Sequence, residues 1–114
     1  MARILIFEPH SDIRSLLEIV ITRLGHEPVV GDVPGDHLTN VDAAVIEPGE
    51  GDGLSLARRL RQKGVPVVFT SVFPAAPEAL DLSPSAYLVK PFPLYLLEQA
   101  LTSAVRPARA SAAV

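Results

Sequence analysis

Four short, unbroken aliphatic runs constrain the fold of this chain most: Ile4–Phe7, Ala43–Ile46, Val65–Phe69 and Tyr87–Val89, with a weaker one at Pro28–Val30. Unbroken runs, unlike alternating ones, suit strands of a parallel sheet covered on both faces. Parallel strands need crossover connections, usually helices. Ser11 or Asp12 can cap a helix running to Leu24, with Ile13, Leu16, Leu17, Val20, Ile21 and Leu24 on one face and Gly25 at its end. Asp52 can cap a second, Gly53–Lys63, with Leu54, Leu56, Ala57 and Leu60 inward and Gly64 as terminator. Pro93 suits the first turn of another, Leu94–Val105. Two crossovers are thin. Asp32–Asn40 leaves room for one helical turn at most, and Phe73–Ser85, with Pro74, Pro77 and Pro84, for a stub around Glu78–Leu82. The expected unit is one domain over residues 1–105, followed by a disordered Ala- and Ser-rich tail over 106–114.

With 114 residues, 48% of them hydrophobic and few aromatic, the chain can build one aliphatic core. It has no cysteine, which excludes disulfides, thiol catalysis and thiolate metal sites. The apolar start Ile4–Phe7 is too short for a signal peptide or a membrane span, so a soluble cytoplasmic protein is expected. The net charge is −3, with ten acids and three bases in residues 1–57 but three acids and seven bases in 58–114. Arg58, Arg59, Arg61 and Lys63 crowd one helix end, where cations favour the dipole. That explains them better than a nucleic-acid patch, for which overall positive charge is missing.

The strand ends carry the chemistry. Glu8 follows the first run, Glu47 the third, Thr70-Ser71 the fourth and Lys90 the fifth, just before Pro91-Phe92. In a doubly wound sheet such ends converge on one crevice. Two acids, a hydroxyl and a lysine there could handle a phosphoryl group. His10 is a lone histidine with no second at metal spacing and reads as a surface or cap residue. His26 and His37 fall in turns. The acids of the loop 49–53 lack a calcium-loop pattern, and helix capping by Asp52 accounts for the loop better. No Gly-rich phosphate loop occurs.

This arrangement resembles the receiver domain of two-component response regulators over residues 2–105. The resemblance is carried by Ile4–Glu8 with Asp12-Ile13-Arg14, by Asp42–Glu47 with Gly51–Leu54, by Pro66–Ser71 and by Tyr87–Phe92. It implies a flavodoxin-like (CheY-like) α/β fold: a doubly wound, five-stranded parallel sheet of order 2-1-3-4-5, here with reduced second and fourth helices. In that family two adjacent acids after the first strand and an aspartate after the third hold Mg²⁺. The aspartate accepts a phosphoryl group that a lysine and a hydroxyl contact, and an aromatic on the last strand swings with the hydroxyl. By resemblance the first acid is Glu8, the second position is Pro9 and the phosphoacceptor equivalent is Glu47. The hydroxyl is Ser71 (Thr70 if the alignment slips by one), the lysine Lys90 and the switch aromatic Tyr87. Pro91 matches a family proline whose preceding bond is often cis.

The departures are informative. Pro9 has no side-chain oxygen, while Mg²⁺ demands near-octahedral oxygen geometry. Glu47 is a methylene longer than aspartate, and in-line transfer tolerates little displacement. The expectation is therefore an atypical, phosphorylation-independent, non-enzymatic receiver. Its Glu47 and Lys90 would form a lasting ion pair; Glu8 and Glu47 remain weak metal candidates, and Mg²⁺ binding is expected to be weak or absent. The resemblance implies a protein partner, be it a histidine kinase, an effector or a second copy in a homodimer. Nucleic acid and membrane are not expected as partners. Tyr87, Tyr95 and Leu96 are the candidate interface. The rival readings are a phosphoaccepting receiver using Glu47 and a small-anion-binding module holding its ligand with Ser71, Lys90 and strand-end amides.

Overall fold

A computed structural model describes residues 2–31, 40–49 and 51–113, with the backbone alone for 106–113. The described elements, in order, are β1 (Arg3–Phe7), α1 (Ser11–Arg23), β2 (Glu27–Val30), β3 (Ala43–Ile46), α2 (Gly53–Gln62), β4 (Val67–Ser71), α3 (Pro77–Leu80), β5 (Ala86–Val89) and α4 (Leu94–Ala113). All strand pairs are parallel, in the order β2-β1-β3-β4-β5. Side chains alternate across a strand, and both faces are covered. Ile4, Ile6, Ala43, Val45 and Val68 pack under α1 and α4 through Leu17, Val20, Ile21, Leu97 and Leu101. Leu5, Ala44, Ile46, Val67 and Phe69 pack on the other side with Leu56, Ala57 and Leu60 of α2 and Ala79 of α3. Each fully buried Leu, Ile or Phe contributes about 1.5–3 kcal/mol. The sheet is doubly wound, as the unbroken apolar runs require.

The structure shifts several expected boundaries. β4 covers Val67–Ser71, so Thr70 and Ser71 belong to the strand and do not follow it. Val65 is claimed by the end of α2, where its amide donates to the Leu60 carbonyl, and Pro66 has no amide to offer a ladder. The α1 N-cap is His10, not Ser11 or Asp12, because its carbonyl already accepts from the Arg14 amide. Asp52 occupies the N-cap position of α2 without a side-chain capping bond. Leu16 is exposed, leaving the inward face of α1 to Leu17, Val20 and Ile21. On α4 the inner stripe is Leu97, Ala100, Leu101 and Ala104; Leu94 is exposed. That helix continues to Ala113, past the expected end at Val105 and through the segment expected to be disordered. Its alanines are strong helix formers. α3 is the expected stub, while the reduced second helix would fall on residues 32–39, outside those described. No described helix is long and apolar enough to cross a membrane.

Arg61 does more than complement a dipole. It is half-buried, donating from Nε to the Leu82 carbonyl (3.1 Å) and from a terminal nitrogen to the Val65 carbonyl (3.3 Å). It thereby ties the end of α2 to the segment between α3 and β5. Arg58, Arg59 and Lys63 stay exposed.

Candidate functional site

Parallel register brings the strand ends together. Phe7 of β1 lies beside Ile46 of β3, so the next residues, Glu8 and Glu47, emerge side by side, and the Glu47 amide donates to the Phe7 carbonyl. Ser71 pairs with Val89, and the amide of Lys90 donates to the Ser71 carbonyl at 2.7 Å, which fixes where the lysine leaves the sheet. The Lys90–Pro91 bond is cis.

The Lys90 ammonium bridges the two carboxylates, 2.8 Å from Glu8 Oε1 and 2.9 Å from Glu47 Oε1. All three side chains are nearly closed off from solvent, at 10% exposure for Lys90, 1% for Glu8 and 4% for Glu47. The outer carboxylate oxygens are also engaged. Glu47 Oε2 accepts from the Gly49 amide (3.1 Å), and Glu8 Oε2 accepts from the His10 amide (3.3 Å) and meets the His10 ring Nδ1 (3.1 Å). Arg14 donates to the Glu8 carbonyl. Burial alone would lower the Lys90 pKa, but hydrogen bonds and attraction from Glu8 and Glu47 together outweigh it and hold the ammonium above its ordinary 10.5. Buried charges persist only when paired in this way.

The other residues singled out from the sequence lie around this triad without joining it. Pro9 is exposed. Ser71 is buried, and its hydroxyl accepts from the Phe73 amide (3.2 Å); the Thr70 hydroxyl is buried with no hydrogen-bond partner among the described residues. Tyr87 packs its ring against Phe69, with centroids 5.9 Å apart, and donates its hydroxyl to the Phe73 (3.1 Å) and Pro74 (3.4 Å) carbonyls. Tyr95 is exposed and Leu96 half-buried at the start of α4. His10, set aside as a surface or cap residue, is both exposed and bonded to the triad; its position two residues after Glu8, across a proline, was the available clue. Gly53 was also missed: a Cβ there would collide with the Glu47 carbonyl oxygen, so the glycine lets α2 start directly against the Glu47 backbone.

Each carboxylate oxygen of Glu8 and Glu47 already faces a donor within the chain. Among the described residues no group of three or more His, Asp and Glu side chains is placed to hold a metal ion.

No family model and no curated protein matches the sequence. Solved structures do match its fold. A response regulator receiver domain protein (CheY-like) from Methanospirillum hungatei JF-1 superposes with a TM-score of 0.83 at 16% identity, over 97% of this chain and 98% of that one. The signal receiver domain of a modulated diguanylate cyclase from Desulfovibrio desulfuricans G20 gives 0.81 at 22% identity, over 97% and 98%. An orphan response regulator of H. pylori gives 0.75 at 20%, over 92% and 97%. By its strand order and these superpositions, this chain has the fold of the receiver domains of two-component response regulators.

Proposed function

We propose that this domain is an atypical receiver, a non-enzymatic signalling module that works by protein–protein contact without being phosphorylated. One observation carries the reading: Lys90 bridges Glu8 and Glu47 from within the chain, at 2.8 and 2.9 Å. In the receivers that the sequence resembles, the corresponding acids hold a divalent cation and one of them accepts a phosphoryl group. Here the ammonium takes the place of that cation between the carboxylates, and Pro9 brings no further oxygen. A phosphoryl donor would have to dislodge a buried lysine before Glu47 could attack, which argues against the phosphoaccepting alternative. The anion-binding alternative is weakened for the same reason, since the Lys90 charge is already matched by two carboxylates. The partner is a histidine kinase, an effector or a second copy of the chain. It would meet the surface that carries Tyr87 of β5 and Tyr95 and Leu96 at the start of α4.

The test is incubation with acetyl phosphate and Mg²⁺, read by intact mass and by amide NMR shifts. The expected result is no added phosphoryl group and no saturable shift around Glu8 and Glu47 at millimolar metal. A Glu8- and Glu47-dependent Mg²⁺ titration, or an acyl phosphate cleaved by hydroxylamine, would overturn the proposal.

A further inference from the structure

The loop after β3 and the segment after β4 meet at the rim of the crevice. Residues 48–52 include two glycines, Gly49 and Gly51, the latter at φ 52°, so this backbone has little conformational preference of its own. Among the described residues, one side chain bonds to it: Glu47 Oε2 accepts from the Gly49 amide at 3.1 Å. The other oxygen of the same carboxylate pairs with Lys90.

Phe73 reaches this loop from β4. Its amide donates to the Ser71 hydroxyl (3.2 Å), and its carbonyl accepts from the Tyr87 hydroxyl (3.1 Å), so both of its backbone polar groups are held. What remains to be set is the direction of the ring. That ring lies against Gly49: a Cβ added to the glycine would stand 3.9 Å from Phe73 Cδ2 and 3.4 Å from Glu47 Oε2. Gly49 therefore sits between a buried carboxylate and a surface aromatic. Phe73 is still 64% exposed, and aromatic side chains of this size dominate the energetics of protein interfaces.

We infer that the crevice sets the orientation of Phe73 at the surface: the Glu47 carboxylate fixes the Gly49 backbone, and Gly49 seats the ring. Glu47 is then a positioning residue for an exposed aromatic anchor. The use of that anchor rests on the protein-contact reading above; its seating does not. The chain has no tryptophan, so Phe73→Trp introduces a single fluorescent reporter. In the unsubstituted protein, NOEs between the Gly49 Hα and the Phe73 ring protons are expected. In the Phe73→Trp chain, Glu47→Ala should raise the acrylamide quenching constant about 1.5-fold, the ratio of full exposure to 64% when a local contact opens. Should that variant not fold, Glu47→Ala combined with Lys90→Met also removes the unpaired ammonium and should give the same rise. Leu80→Trp, at the last residue of α3 and 52% exposed, is the control and should not respond. Absence of the NOEs, an indole at position 73 indifferent to the Glu47 variants, or an equal response of the position-80 reporter would overturn the inference. Labelling by acetyl phosphate would overturn the phosphorylation-independent reading and leave these readouts unchanged, so the two fail separately.

Discussion

At the scale of single residues, the crevice depends on one ammonium with two carboxylate partners. Truncating Lys90 leaves both acids buried without their shared counter-charge, so Lys90→Ala should cost about 3 kcal/mol, a large fraction of the roughly 5–15 kcal/mol that holds a domain folded. Glu47→Gln in the Lys90→Ala background should recover part of that loss. Urea denaturation of the four members of this cycle checks it, and strict additivity would show that the two groups do not interact. The raised Lys90 pKa has a definite sign. The folded state holds its proton more tightly than the unfolded chain does, so the contribution is fully present below about pH 10.4 and is lost as pH rises through the folded value. Wild type should therefore lose stability on alkaline titration more steeply than Lys90→Met, with no difference in slope near neutrality. Glu8, Glu47 and Lys90 were legible in the sequence because strand ends of a parallel sheet converge. The His10 contact was not, because residue spacing does not reveal how the chain bends at Glu8-Pro9-His10. Nor was the orientation of Ser71, whose hydroxyl turns back to the Phe73 amide.

Elements were legible where apolar period and terminators agreed. α1 ends at Gly25 (φ 87°) and α2 is followed by Gly64 (φ 79°), both backbone shapes that favour glycine. β4 was placed two residues early because Val65 and Pro66 extend the apolar run, although their backbones serve the α2 end. The inner stripe of α4 is hard to read from sequence for a related reason: Ala100 and Ala104 are weak apolar signals beside Leu94, yet a helix lying close on a sheet needs small residues. Gly53 joins the elements to the site. Gly53→Ala should push α2 away from Glu47 and cost about 2 kcal/mol as an overpacked contact. The tell-tale would be amide shifts at Glu47 and Gly49; an unperturbed Gly49 would mean that α2 moves without disturbing the carboxylate.

Across the whole molecule, one edge of the sheet differs from its interior. Phe73 after β4, Val89 at the end of the edge strand β5 and Tyr95 at the start of α4 are 64%, 45% and 57% exposed. Exposed apolar side chains of this kind suit a partner surface. Tyr95→Ser combined with Leu96→Ser should weaken self-association in sedimentation, or partner capture, while circular dichroism stays that of the folded protein. If both are unchanged in a folded double mutant, the interface lies elsewhere. The bridging lysine also has a consequence for the thermodynamics of the crevice. A diffusible cation occupies its site according to its concentration, whereas a tethered one arrives at fixed one-to-one stoichiometry with each copy of the chain. Occupancy of the crevice then does not follow mass action, and its geometry is inherited at synthesis. If the phosphorylation-independent reading proposed above holds, the melting temperature should be the same, within about 1 °C, in a chelator and in millimolar Mg²⁺.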